Sequence, residues 1–272
     1  MELSGKIVLV AGGAGGIGLG IAKAFAAEGC RVALTDISEE ALARAVGTVT
    51  RHSGLGTRAM RDEGRETIDE QRATRHETPT SSSFSWRACD ITNRQQVSQL
   101  FQWLGEELGA IDILVNSAGI NIANRMMSNI DPADFDRMLQ VNTTGTFNCI
   151  HAALPVMRQR GSGLIVNIVS LAGKRAMLLA GMPYCVSKFA TAALGTFVNL
   201  EECGNGIKVT NVYPGETNTP IVDKRPSPPP PEKRAQMLQP EDIAACVVTI
   251  AKLPARAIVP ELIITPPHMM IP

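Results

Sequence analysis

Two residues four apart, Tyr184 and Lys188, pose the first chemical question of this 272-residue chain. On a helix that spacing puts both side chains on one face. A tyrosine hydroxyl titrates near ~10 in water, too high for an efficient base at neutral pH. A nearby ammonium favours the phenolate and lowers that value. Ser170 stands fourteen residues before Tyr184, at the end of the apolar run Leu164–Val169. A hydroxyl there can bond a substrate oxygen and steady the charge that develops on it. Hydride transfer to a carbonyl needs such a proton donor, and the reverse reaction needs a base for the alcohol.

A hydride also needs a carrier, and the first forty residues read as its cradle. The apolar run Lys6–Ala11 leads into Gly12-Gly13-Ala14-Gly15-Gly16-Ile17-Gly18, and a helix pattern runs from Ile17 to Glu28. Gly12, Gly16 and Gly18 allow a tight turn and let the backbone approach a pyrophosphate at the helix start, where free N–H groups point outward. Asp36 lies 18 residues after Gly18 and ends the next apolar run, Arg31–Asp36. A carboxylate at that place accepts hydrogen bonds from adenosine ribose hydroxyls and repels an added 2′-phosphate. Ala14, Gly15 and Ile37 bring no basic residue to offset it. The expected cofactor is NAD rather than NADP.

The elements that must position these groups alternate. Buried-strand patterns recur at Trp86–Cys89, Ile111–Asn116, Leu164–Val169, Ile207–Val212 and Ile258–Ile264. Helix patterns lie at Glu39–Val49, with Ser38 as cap, then Gln95–Leu108, Phe135–Arg160, Tyr184–Glu202 and Pro240–Leu253. This alternation predicts an α/β fold, a doubly wound parallel sheet of Rossmann type forming a single domain over residues 1–272. One segment breaks the rhythm. Arg51–Ser85 is long, polar and rich in both charge signs, and reads as a flexible insertion at the sheet edge away from the ligand. Residues 217–239, with prolines at 226 and 228–231, read as a substrate lid or, alternatively, a plain surface loop.

Composition excludes other classes. Lys plus Arg and Asp plus Glu number 26 each, so nothing points to nucleic acid or an anionic membrane. Six scattered cysteines without a CxxC pair fit free thiols in a reducing compartment, and four scattered histidines give no metal-ligand spacing. No run of 18 apolar residues and no signal-peptide pattern is present, so the expected location is cytoplasmic.

With the glycine turn and Tyr184-Cys185-Val186-Ser187-Lys188 both in place, the chain resembles the short-chain dehydrogenase/reductase family. The resemblance spans nearly all of it except the insertion. The family's Asn-Asn-Ala-Gly element is matched by Asn116-Ser117-Ala118-Gly119, and its adenine-side Asp-x-Thr by Asp90-Ile91-Thr92. Its active-site asparagine corresponds to Asn142, its serine to Ser170, and its tyrosine–lysine pair to Tyr184 and Lys188. Pro214-Gly215 follows the sixth strand, and Thr217 and Thr219 come after it, Thr219 in the position that usually touches the nicotinamide end. The resemblance implies that Lys188 also bonds the nicotinamide ribose and that Asn142 holds a water linking Lys188 to solvent. It also implies a homotetramer or homodimer joined through the tyrosine helix and the long helix before it. Ala11 and Ser117 depart from the family's usual threonine and asparagine.

Met126, Met127, Met177, Leu178, Leu179 and Met182 suit either a partly apolar substrate pocket or core packing. The leading expectation is an alcohol dehydrogenase or carbonyl reductase acting on a small-molecule alcohol or carbonyl substrate. The alternative is a catalytically idle dinucleotide-binding sensor or scaffold, against which the intact Ser170, Tyr184 and Lys188 weigh.

Overall fold

The structure, a computed structural model, describes residues 2–53, 57–59 and 84–269. In chain order the strands are β1 Ile7–Ala11, β2 Arg31–Asp36, β3 Thr57–Ala59, β4 Phe84–Ala88, β5 Ile113–Asn116, β6 Gly163–Ile168, β7 Ile207–Pro214 and β8 Glu261–Ile264. The helices are α1 Gly16–Ala27, α2 Glu39–Ser53, α3 Arg94–Glu107, α4 Pro132–Leu139, α5 Gly145–Arg160, α6 Met182–Glu202, α7 Pro231–Arg234 and α8 Pro240–Lys252. The strands form one parallel sheet in the order β3-β4-β2-β1-β5-β6-β7-β8. From β1 the chain winds outward through β2 and β4, then returns to lay β5 on the other side of β1. The crevice beyond the carboxyl ends of β1 and β5 is therefore the place where a doubly wound sheet accepts ligands.

The continuous apolar runs are explained by burial on both faces. Along β1, Val8 and Val10 face one core with Ile21, Phe25, Leu34 and Val247, while Leu9 and Ala11 face the other with Leu100, Leu104, Ile150 and Met157. Each fully buried side chain of this size contributes about 1.5–3 kcal/mol, so two such cores fix the register of every central strand. α1 and α8 cover the first face, and α3, α5 and α6 the second.

The last strand starts at Glu261 rather than at Ile258, and three further differences bear on the site and the insertion. The strand expected at Trp86 begins at Phe84, whose fully buried ring pairs opposite Val32, so Phe84 and Ser85 belong to the sheet and not to the insertion. α2 runs on to Ser53, and β3 pairs in parallel with β4 at the sheet edge, so the insertion's own ends are structured. Residues 54–56 and 60–83, the rest of the segment read as flexible, lie outside the described residues. The single long helix expected over Phe135–Arg160 is two helices joined by a π-helical turn at Gln140–Thr144, where the Gly145 N–H reaches back five residues to the Gln140 carbonyl. That widening falls on Asn142, in keeping with the frequent occurrence of such turns at functional sites.

Candidate active site

The glycine turn is shaped by close backbone approach. Gly12 and Gly13 donate from their backbone N–H groups to Thr35 O at 2.8 and 3.0 Å, closing the turn onto β2. Gly12 has φ +78°, and a Cβ there would lie 2.5 Å from Ala118 N. Gly18 faces the turn from inside α1, where a Cβ would sit 2.1 Å from the Gly12 carbonyl oxygen. Gly12 and Gly18 are thus required by contact. No side chain caps α1, and its first turn carries no acidic residue, so its N-terminal N–H groups face the crevice open to an anion.

Asp36 closes β2 beside this turn. Its Oδ1 accepts from Ile37 N at 2.9 Å and its Oδ2 from Ala14 N at 3.4 Å, which fixes the carboxylate at the crevice edge. Asp90 Oδ1 accepts from both the backbone and the hydroxyl of Thr92, at 2.9 and 2.8 Å. That carboxylate shapes its own turn, and the turn forms part of the crevice wall.

At the other end, Ser170 follows β6 and Tyr184 is the third residue of α6. Both line the same cavity, where the Ser170 hydroxyl favours the Tyr184 phenolate, and Ser170 Oγ accepts from Ala172 N at 3.1 Å. Burial pushes the Tyr184 hydroxyl up to about 12; Ser170 and the charge of Arg125 pull it back, and Cys185 adds to the rise. Lys188 is 4% exposed, its Nζ donates to Ile168 O at 3.0 Å, and burial pushes it down to about 8. This corrects the expectation of a depressed tyrosine. Lys188 Nζ lies 5.7 Å from the Tyr184 ring centroid and is held by a backbone carbonyl, so in the protein alone desolvation of the phenolate outweighs the lysine charge.

Asn142 is fully buried in the π-helical turn. Its Oδ1 accepts from Ile120 N at 2.8 Å, and its Nδ2 donates to Ile120 O at 3.1 Å and Ser187 Oγ at 2.9 Å. The carbonyl that the widened turn releases accepts from the hydroxyls of Thr146 and Thr191, at 2.9 and 3.0 Å. Asn142 therefore clamps the loop after β5 against α6, and its side chain comes to 3.4 Å, with Lys188 Nζ at 3.5 Å, of the position a Cβ on Gly119 would take. Asn116 points away from this cluster, into a buried ladder. Its Nδ2 donates to Asn167 Oδ1 at 2.9 Å, Asn167 Nδ2 to Asn211 Oδ1 at 3.0 Å, and Asn211 Nδ2 to Ala192 O at 2.9 Å.

One cavity of about 800 Å³ joins the two ends. Its wall includes Gly12, Gly16, Ile17 and Asp36 at one end, Asp90, Ile91, Ala118 and Gly119 in the middle, and Ser170, Tyr184, Lys188, Pro214, Gly215, Thr217 and Thr219 at the other. Gly18, Asn116 and Asn142 lie behind it as supports. Of the apolar candidates, Met177 and Leu179 line the cavity, whereas Met126, Met127 and Leu178 are exposed elsewhere. The 217–239 segment is anchored by a bridge between Thr217 and Leu238 and by an ion pair between Arg234 and Asp223, and it contributes Pro220, Ile221 and Val222 to the wall. Arg125, Arg225 and Glu216 also line the cavity. No motif or periodicity marked these three in the sequence; only the fold brings them to the wall.

A dinucleotide fits this donor set. The glycine turn leaves no Cβ in the way at Gly15, where nothing lies within 4 Å of that position, and the open helix N-terminus and Asp36 sit beside it. Pyrophosphate would meet the helix N-terminus, adenosine ribose Asp36, and the nicotinamide end the Tyr184–Lys188 region.

A family model described as short chain dehydrogenase matches residues 6–62 and 57–229. The glycine betaine reductase ATRR of Emericella nidulans is 32% identical over 271 residues, covering 97% of this chain, which spans only 19% of that relative's length. The 3alpha-hydroxysteroid dehydrogenase of Mediterraneibacter gnavus is 31% identical over 229 residues, 83% of this chain and 79% of that one. Among solved structures, an alcohol dehydrogenase of the archaeon Thermococcus sibiricus, complexed with 5-hydroxy-NADP, superposes with a TM-score of 0.78 at 22% identity, over 98% of this chain and 99% of that one. At that identity the superposition speaks for the fold.

Proposed function

The chain belongs to the short-chain dehydrogenase family of oxidoreductases, and on that footing we propose that it moves a hydride between NAD and the carbonyl or secondary alcohol of a small molecule. The observation that supports this most is the meeting of Ser170, Tyr184 and Lys188 in the wall of the same cavity that begins at the glycine turn. The nicotinamide dinucleotide supplies the hydride acceptor or donor. Tyr184 gives its proton to the substrate oxygen in reduction and takes it back in oxidation, Ser170 holds that oxygen by a hydrogen bond, and Lys188 holds the ribose and favours the phenolate. Asn142 keeps the loop carrying Gly119 and Ile120 against α6, so that Lys188 and the loop stay in register.

The preference for NAD rests on Asp36. Its carboxylate accepts from Ile37 N and Ala14 N at the crevice edge, and a negative charge there would repel a 2′-phosphate. Wild-type kcat/KM with NAD should exceed that with NADP by tenfold or more on any working substrate, and Asp36→Ala should narrow the gap. An NADP preference in the wild type would overturn the assignment.

The state of Tyr184 sets the pH dependence. With burial holding the proton on up to about 12, carbonyl reduction finds the donor form present at neutral pH, whereas alcohol oxidation needs the rarer phenolate. Oxidation kcat/KM should therefore climb with pH through the neutral and alkaline range while reduction does not. Tyr184→Phe should lose at least about a hundredfold in rate and keep NADH binding within a few-fold, by fluorescence titration. Retention of a tenth of the rate would remove Tyr184 from its role.

A homodimer or homotetramer is the assembly that the outer face of α6 suits. Val186, Phe189, Phe197 and Leu200 are exposed along it, Phe197 at 64% and Leu200 at 67%, and Phe147 is exposed on α5 in the same layer. The small residues Ala192 and Gly195 of α6 face inward. A Cβ on Gly195 would lie 2.1 Å from Asn211 Oδ1 in the asparagine ladder, so that glycine serves the core. A stripe of large apolar side chains of this kind marks an interaction surface. Light scattering at micromolar concentration should give a multiple of the 29.0 kDa chain mass; a monomeric mass would contradict it.

A further inference from the structure

Arg125 stands apart from the family's motifs. It is 3% exposed, lies in the loop after β5, and forms part of the cavity wall. A guanidinium has five N–H donors. Here Nη1 donates to Leu179 O at 3.2 Å and Ala180 O at 3.4 Å, and Nη2 to Lys224 O at 2.5 Å, while the buried Nε has no acceptor. No carboxylate among the described residues forms an ion pair with it. Backbone carbonyls satisfy donors but bring no formal charge, and a buried cation without a counter-charge is costly.

The three bonds join two segments that flank the reacting end. Leu179 and Ala180 lead into Gly181, the residue that opens α6 ahead of Tyr184. Gly181 has φ +85° and packs flat on the arginine stem, where a Cβ would lie 2.5 Å from Arg125 Cδ. Lys224 ends the short helical turn Pro220–Lys224, whose first residues line the cavity. Arg125 thus sets where the tyrosine helix starts relative to the lid.

Arg125 and Tyr184 line the same cavity, and the guanidinium charge favours the phenolate form of the Tyr184 hydroxyl, less than Ser170 does, while burial of the guanidinium disfavours its own charge. The other groups facing that hydroxyl are Ser170 from the segment after β6, and Cys185 and Lys188 on α6. Arg225 stands near Arg125, but Glu216 Oε1 engages it at 2.8 Å, and Glu216 also meets His268. Lys188 is pushed down to about 8 and loses its charge in the alkaline range, whereas an arginine stays charged at every accessible pH.

We propose that Arg125 is a positioning residue for proton transfer: it pins the start of the tyrosine helix to the lid, and its uncompensated cation favours negative charge on the Tyr184 oxygen. This rests on the acid–base role given to Tyr184 above. The chain has two tyrosines, and Tyr213, the other, donates to Glu261 Oε1 at 2.9 Å. Protein labelled at the tyrosine ¹³Cζ therefore gives two signals, which Tyr184→Phe assigns. In Arg125→Gln, which keeps N–H donors and loses the charge, the onset of the Tyr184 phenolate signal should move to higher pH by half a unit or more, about threefold less phenolate at a given pH. The rising limb of oxidation kcat/KM should move with it, and Arg125→Lys should stay at the wild-type position. If Arg125→Gln does not fold, Gly181→Ala, which displaces the arginine stem and changes no charge, should move the signal in the same direction. An unmoved Tyr184 signal in the folded variant, with only a lower melting temperature, would reduce Arg125 to a structural clamp and overturn the proposal. The signal needs no substrate, so a lack of turnover would count against the proposed activity and leave this test standing.

Discussion

Placing a lysine ammonium and a tyrosine hydroxyl out of water, side by side on one helix, is the constraint around which the rest of this molecule is arranged. Lys188 keeps one backbone partner, Ile168 O, at the end of β6. Burial works against the charged form of both groups. Each neighbour offsets part of that cost. Ser170 and the Arg125 cation favour the phenolate, and Asn142 holds the Ile120 loop against the helix so that Gly119 leaves space beside the ammonium. The sheet makes this possible, because β6 and the start of α6 can meet at the carboxyl edge only if both faces of the sheet are closed by helices.

The cofactor end follows a different logic. There the backbone does the positioning, and side chains matter chiefly by being absent. Gly12 and Gly18 touch backbone atoms that a Cβ would displace, and α1 presents its N-terminal N–H groups without a capping side chain. Asp36 has backbone amides as partners on both sides, Ile37 N and Ala14 N, which keeps its carboxylate at the crevice edge.

These two ends were legible in the sequence for different reasons. The glycine turn and Asp36 are local, their meaning set by spacing along one strand–turn–helix unit. Tyr184 and Lys188 share a face by helical period, and the apolar runs of β1, β5, β6 and β7 signal burial on both faces. The π-helical turn at Gln140–Thr144 is hidden in the sequence because its residues keep a helical pattern; the freed carbonyl finds one local partner, the Thr146 hydroxyl, and one tertiary partner, the Thr191 hydroxyl. Phe84 is masked by the serines on either side of it, Ser81–Ser83 and Ser85, which blend it into the polar insertion, yet the place opposite Val32 buries it completely. Arg125 was illegible altogether: its partners are carbonyls 54 to 99 residues away.

The central claim is that this cavity transfers a hydride rather than only holding a dinucleotide. Incubating the protein with NAD and a panel of secondary alcohols deuterated at the carbinol carbon tests it directly, by mass spectrometry of the recovered dinucleotide. Transfer predicts a reduced dinucleotide carrying the deuterium, with one proton released per turnover. Dinucleotide binding, seen by tryptophan fluorescence, without deuterium uptake from any alcohol would contradict it and leave a catalytically idle binding protein.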